Sequence, residues 1–202
     1  MMRHDMLRVG LAALLSGPMA SVWAAEVGQP APEFSLTDSV GTSRSLGDFQ
    51  GTFIVLEWFN NECPFVRKHY DSGNMQRLQA AYTAKGVVWL TVASSALGKQ
   101  GYMTPEQAQA VIQARNARQT ALLLDPDGTV GQRYGAKTTP HLFIINPEGV
   151  LIYAGAIDSI ASVDQVDIDR AENYVQRALD EALAGQPVSV AETQSYGCSV
   201  KY

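Results

Sequence analysis

Cysteine occurs only twice in the 202 residues, at Cys63 and Cys198, and histidine only three times. No C-x-x-C pair is present, and soft metal sites are usually built from such close pairs, so a metal centre has little local support. Charge is also scarce. Charged residues make up 17% of the chain, against roughly 25% in ordinary globular proteins, which favours a compact fold over a disordered one. The net charge of −5 comes without any basic cluster, which excludes nucleic acid as the expected partner. Between Glu26 and Gly185 there is no internal repeat, low-complexity block or linker, and the length suits one domain with a sizeable core.

Long apolar runs are missing as well. The one near the start, Val9 to Leu15, is too short to span a bilayer. Arg3 and Arg8 flank it with positive charge, and Val22-Trp23-Ala24 offers small or modest residues where a signal peptidase reads. This pattern predicts a cleaved signal peptide, residues 1–24, with an uncleaved anchor as the other way to read the segment. No cysteine follows the apolar run, so no lipid attachment point is expected. The mature chain would be exported, with no stable membrane insertion, and in that compartment paired cysteines usually form a disulfide.

What is present alternates strand and helix, the pattern of an α/β layer fold. Ala31 to Leu36 reads as a strand followed by a turn over Asp38 to Ser43. Phe53 to Phe59 reads as a central strand buried on both faces, and Pro64 opens a helix reaching about Ala84 before Gly86 caps it. Val87 to Ala93 is the next buried strand, and Thr104-Pro105-Glu106-Gln107 opens an extra helix with a capping box. Leu122 to Leu124 is a short strand stopped at Asp125-Pro126-Asp127-Gly128. His141 to Ile145 and Val150 to Ala154 form a hairpin around Asn146 to Gly149, and an amphipathic helix runs from about Asp167 to Ala184. The expected division is a domain over residues 26–185 and a mobile tail over 186–202 carrying Cys198.

Chemistry concentrates at Cys63, where a buried strand ends and a helix begins. The free N–H groups and dipole of a helix start favour an anion, so the thiolate, the reactive form, is favoured there. Arg67 and Lys68 add positive charge and Glu62 opposes it. The alternative is an inert half of a Cys63–Cys198 disulfide. Glu57 interrupts the apolar central strand. Buried, it would have a raised pKa and could pass protons during thiol exchange; at an exposed strand end it would do neither. Pro140 opens the hairpin strand, where its missing N–H is tolerated, and His141 reads by itself as structural.

Several of these stretches resemble a known family. Ala31-Pro32-x-Phe34-x-Leu36, Leu46-x-x-Phe49-x-Gly51, the strand to Glu57-Trp58, and Thr139-Pro140-x-x-Phe143 to Gly149 resemble the redoxin branch of the thioredoxin superfamily. That branch holds the alkyl hydroperoxide reductase/thiol-specific antioxidant (AhpC/TSA) proteins and periplasmic thioredoxin-like reductases, and the resemblance spans residues 27–185. Asn61 to Val66, with Tyr196-Gly197-Cys198-Ser199 near the end, is most similar to a peroxiredoxin-like subgroup with a lone active-site cysteine. The resemblance implies a thioredoxin fold with a central mixed β-sheet flanked by helices, an N-terminal extension and an inserted helix. It matches Cys63 to the first redox cysteine, Glu57 to the buried acid, Pro140 to a cis-proline, and Thr139 to a position that hydrogen-bonds substrate backbone. Two departures stand out: Val66 occupies the place of the second redox cysteine, and Leu56 and Asn60 stand where the peroxidase pattern has Pro and Thr.

Three functions follow as expectations. The first is a periplasmic thiol–disulfide oxidoreductase, with Cys63 as nucleophile and Cys198 resolving the mixed disulfide. The second is a thiol peroxidase in which a Cys63 sulfenic acid condenses with Cys198. Partners would be protein thiols and disulfides, or a hydroperoxide, together with a thiol reductant system and no cofactor. The third is a metal-binding assembly protein using Cys63, Cys198, His69 and His141.

Overall fold

The computed structural model describes residues 24–202; the expected signal segment before Ala24 lies outside them. Its organising element is strand β3 (Ile54–Trp58), five consecutive buried residues rich in β-branched and aromatic side chains. It lies between β4 (Val88–Ala93), which it pairs in parallel with Leu56 opposite Leu90, and β7 (His141–Ile145), which it pairs antiparallel with Leu56 opposite Phe143.

Alternation along β3 sends side chains into two cores. Val55 and Phe59 point to the face covered by α1 (Pro64–Asp71), α2 (Asn74–Thr83), α3 (Pro105–Ala114) and α5 (Tyr174–Leu183). Ile54, Leu56 and Trp58 point to the face holding Phe34, Val130 and Tyr134, the last two from the short helix α4 (Thr129–Tyr134). Each such side chain fully buried contributes about 1.5–3 kcal/mol. The sheet is completed by β1 (Ser35–Asp38), β2 (Ser43–Ser45), β5 (Ala121–Leu124) and β8 (Leu151–Gly155), in the order β2-β1-β5-β4-β3-β7-β8. The hairpin β7–β8 forms one edge, and β1–β2 extends the other by pairing with β5. A mixed sheet with helices on both sides, an N-terminal extension and a helix inserted after β4 is the architecture expected; the extension takes the form of the β1–β2 hairpin. No described helix is long and apolar enough to cross a membrane.

Local boundaries depart from the sequence reading in four places. The helix expected from Pro64 to Ala84 is two helices, because Gly73 takes a left-handed φ of 74° and the Ser72 hydroxyl accepts the Asn74 amide, restarting the hydrogen-bond ladder. The last helix begins at Tyr174 rather than Asp167, where Asn173 accepts the Gln176 amide as its cap. Helix α4 was not foreseen; Asp125 anchors it by accepting the amides of Val130 and Gly131. The first strand begins at Ser35 rather than Ala31.

The largest departure concerns the residues expected as a mobile tail. They are laid across the domain as a strap. Along the β8 edge, Ala154 accepts the Thr193 amide and donates its own amide to the Ala191 carbonyl. Strand β9 (Cys198–Ser199) pairs antiparallel with β6 (Thr138–Thr139). Beyond it, Val200 donates to Lys137, Lys201 accepts from Ala96, and the Tyr202 hydroxyl donates to the Ala136 carbonyl at 2.7 Å. Gly197 makes this route possible: its φ is 137°, and a Cβ there would collide with the Thr139 carbonyl oxygen.

Gly197→Ala is therefore expected to lift β9 off β6. Backbone strain alone should lower stability by about 1–3 kcal/mol, and limited proteolysis should cut after Gly185 in the variant well before it cuts the wild-type chain. Equal protease resistance would contradict the docked strap.

Candidate active site at Cys63

Cys63 is the N-cap of α1, with extended backbone (φ −72°, ψ 123°) and Pro64 as the first helical residue. The turn before it is held by Asn60, whose carbonyl accepts the Cys63 amide at 3.0 Å and whose side chain accepts the Glu62 amide at 2.9 Å. The sulfur sits at the helix start, as the sequence indicates, but it is closed off from solvent, with Cys63 0% exposed. Its thiol donates to the Thr139 carbonyl at 3.0 Å, and Cys198 on the strap covers it; both cysteines are free.

Burial by itself pushes the Cys63 thiol up. Donors gathered around the sulfur outweigh that: the Cys198 thiol first, then the Thr139 hydroxyl, the Val66 amide and the Cys198 amide. The net result holds Cys63 below the ordinary thiol value. The Thr139 Oγ1 is buried without a partner while Cys63 keeps its proton. Ionisation of the sulfur supplies the acceptor this hydroxyl lacks. Cys198 moves the opposite way, pushed up to about 12 by burial and by its hydrogen bond to, and charge interaction with, Cys63. One thiol is set to be the anion and the other to keep its proton.

The side-chain charges expected to assist are directed elsewhere. Arg67 is exposed and pairs with Asp71, and Lys68 is buried against Asp158 at 3.4 Å. Glu62 is exposed. Activation thus rests on backbone amides and neutral donors rather than on cations.

Glu57 is fully buried, which decides between its two readings. Its carboxylate accepts from the Tyr70 hydroxyl at 2.8 Å, the Trp89 indole at 2.8 Å, the Gln79 amide at 3.2 Å and the Thr91 hydroxyl at 3.4 Å. Burial raises its pKa, against these four bonds, which lower it. None of its partners is a cysteine. The carboxylate ties α1 and α2 to β3 and β4 beneath the site.

The Thr139–Pro140 peptide is cis. Thr139 lies directly opposite Cys198 in the β6–β9 pair, so the edge that the resemblance gives to a substrate backbone is taken by the chain's own residues. The four residues of the metal reading are not gathered into a ligand set. His69 Nδ1 is bonded to Asn74 at 2.9 Å, and His141 Nδ1 accepts the Lys137 amide at 3.3 Å. Among the described residues no group of three or more His, Cys, Asp or Glu could hold a metal ion.

The sequence reading missed a cluster beside the thiols. Asp158 accepts from the Tyr196 hydroxyl and from Lys68, with His69 Nε2 3.7 Å away. It also missed Arg115, the C-cap residue of α3, which donates to the Asn61 side chain at 2.9 Å and pairs with Asp71, bracing the turn before Cys63. These residues carry no spacing signal. Only Tyr196, within the Tyr-Gly-Cys-Ser stretch, stands in a motif that could have flagged it.

A folded chain that keeps the Glu57 proton above 4.5, where the unfolded chain loses it, is most stable at low pH with respect to this group. Its contribution declines as pH rises through the folded pKa. Glu57→Gln should remove that decline from a plot of urea midpoint against pH. It should also cost about 1–3 kcal/mol throughout, because the Gln NH2 meets donors that need an acceptor. A variant curve parallel to the wild type would contradict the raised pKa.

Comparison with known proteins agrees with this construction. A protein from Sinorhizobium meliloti of unassigned function superposes with a TM-score of 0.74 at 24% identity, over 89% of this chain and 96% of that one. An uncharacterized conserved protein from Geobacillus kaustophilus also reaches 0.74, at 27% identity over 88% and 92%. The thioredoxin domain of a thiol-disulfide oxidoreductase from Bacteroides vulgatus gives 0.53 at 20% identity over 73% and 97%, which shows the shared fold. No curated protein matches the chain. The AhpC/TSA family model matches residues 27–154. That match takes in both strands that flank β3, the Cys63 helix start and the Thr139–Pro140 turn, and the chain belongs to the AhpC/TSA family.

Proposed function

We propose that the protein is a thiol–disulfide oxidoreductase of the periplasm that cycles between a Cys63/Cys198 dithiol and a Cys63–Cys198 disulfide. The observation that carries this reading is the meeting of two free thiols at one turn: Cys63 at the helix start donates to the Thr139 carbonyl at 3.0 Å, and Cys198 lies directly opposite Thr139 in the β6–β9 pair, with Cys63 held below the ordinary thiol value and Cys198 pushed above it. Family membership and the thiol-disulfide oxidoreductase among the structures of this fold support it. The location rests on the residue 1–24 pattern alone.

The Cys63 thiolate attacks one sulfur of a partner disulfide; the partner's S–S bond breaks, and its other sulfur leaves as a thiolate. Cys63 is then a neutral mixed disulfide, so two of the three influences that keep Cys198 protonated, its hydrogen bond and its charge interaction with Cys63, disappear. The Cys198 proton passes to the departing partner thiolate, and the Cys198 sulfur attacks Cys63, forming the internal disulfide and releasing the second partner sulfur. The partner gains two electrons and two protons, one from Cys198 and one from water, which took up the proton that Cys63 lost on ionising, and a thiol reductant returns the protein to the dithiol. Resolution is thus held back until the first step has occurred.

A hydroperoxide is the second reading, favoured by the closed position of the Cys63 sulfur, which a small oxidant reaches more easily than a folded partner does. Here the thiolate attacks a peroxide oxygen, the O–O bond breaks, and the alkoxide takes a proton and leaves as alcohol. The Cys63 sulfenic acid then condenses with Cys198 and releases water.

Two measurements separate these outcomes. Reduced wild-type protein treated with an oxidised dithiol peptide should lose two hydrogen masses as the Cys63–Cys198 bridge forms, and Cys198→Ser should stop at a mixed disulfide on Cys63. Faster bridging by hydrogen peroxide than by the peptide would move the assignment to the peroxidase. In the same chain, alkylation of Cys63 should follow a titration whose midpoint lies below the ordinary thiol value of about 8.5. No bridge with either oxidant would overturn both readings.

A further inference from the structure

Two residues before Cys198, the strap is fastened to a buried carboxylate. Tyr196 lays its ring edge-on to Phe65 of α1, with centroids 5.8 Å apart, and its hydroxyl donates to the Asp158 carboxylate. Asp158 is 3% exposed. Its remaining contacts are the Lys68 ammonium at 3.4 Å, the Ile160 amide at 3.1 Å and His69 Nε2 at 3.7 Å. Lys68 is itself buried and also donates to the Ile160 carbonyl at 3.1 Å. The Tyr196 hydroxyl is thus held by a charge that water does not screen, where one hydrogen bond is strong and its loss is costly. The remaining strap hydroxyl contact beyond Cys198, Tyr202 to Ala136, is made to a neutral carbonyl.

The same helix carries both halves of the arrangement. Cys63 caps α1, Phe65 and Lys68 follow on it, and their partner Tyr196 stands immediately before Gly197, which passes too close to Thr139 for any Cβ. We propose that Tyr196 is a positioning residue: its hydroxyl on Asp158 latches the strap so that Cys198 stays over Cys63, and release of this latch is the motion that admits a reaction partner. The inference rests on the Cys63/Cys198 redox reading and adds the step that reading lacks, a route to a sulfur with no exposed surface. The family match ends at residue 154, so the latch and the strap belong to the part of this chain outside that pattern.

The test uses the reduced full-length chain and the isosteric Tyr196→Phe variant, which deletes the hydroxyl and keeps the ring on Phe65. A sulfur buried in the closed state is alkylated only through the open state, so its rate reports the opening equilibrium. Tyr196→Phe should raise the rate of Cys63 alkylation by iodoacetamide about tenfold, as expected for losing one hydrogen bond to a charged group. Amide exchange at residues 196–200 should accelerate in parallel, and the Cys63–Cys198 disulfide should become easier to reduce against a glutathione buffer. Tyr202→Phe, which removes a strap hydroxyl of the same size away from Asp158, should leave the Cys63 rate near wild type. An unchanged rate in Tyr196→Phe, or an equal rise in Tyr202→Phe, overturns the latch. These readouts need no turnover, so failure of the wild-type chain to bridge its cysteines would remove the redox reading without deciding the latch.

Discussion

A sulfur that is to work as an anion while shut away from water must be met by donors, and the architecture around Cys63 follows from that requirement. Desolvation alone would make this thiol harder to ionise. The compensation comes from three directions: the first turn of α1 supplies the Val66 amide, the β6 turn supplies the Thr139 hydroxyl, and the strap supplies the Cys198 thiol and amide. Only a fold that ends a central strand, starts a helix and brings a cis-prolyl turn to the same corner can gather all three. The strap completes the set, so the residue proposed to resolve the reaction also tunes the nucleophile.

Buried carboxyl groups appear twice more in this half of the molecule, and each case is solved differently. Glu57 is surrounded by four neutral donors and no cation, an arrangement that leaves its pKa raised and joins two helices to two strands. Asp158 is matched by the buried Lys68 and by Tyr196. Breaking a pair of the second kind leaves an uncompensated charge in a low dielectric, the most costly defect a core can contain. That cost makes Asp158 a firm anchor for a segment otherwise held mainly by backbone hydrogen bonds.

The placement of Cys198 changes how the resemblance to redoxins is understood. By the resemblance, Val66 stands where a second redox cysteine would be, and the residue proposed to take its place, Cys198, arrives from the other end of the chain on a strand paired with Thr139. A thiol held in that way occupies the edge that the resemblance gives to a substrate backbone, so in the proposed redox cycle access and resolution are one structural event. The expectation of a free tail was wrong because nothing in residues 186–202 shows a periodic apolar pattern. The strap is held by Gly197, by main-chain hydrogen bonds and by isolated contacts of Tyr196 and Tyr202, none of which repeats along the sequence.

Local rules were enough for a large part of the molecule. The apolar run from Phe53 to Phe59 determined a strand buried on both sides, Cys63-Pro64 determined a helix start, Thr104 to Gln107 determined a capping box, and Asn146 to Gly149 determined a hairpin, because each depends on residues within a few positions of one another. The break at Gly73, the late start of α5 and helix α4 depended on which side chains found a backbone partner, a choice that packing makes. The meeting of Cys63 with Cys198, the four donors on Glu57 and the hold of Asp158 on Tyr196 were decided by tertiary structure alone. Their partners are far apart in the chain, and hydrogen bonds of that kind are specified by where the sheet and helices place them, not by any spacing that can be read along the sequence.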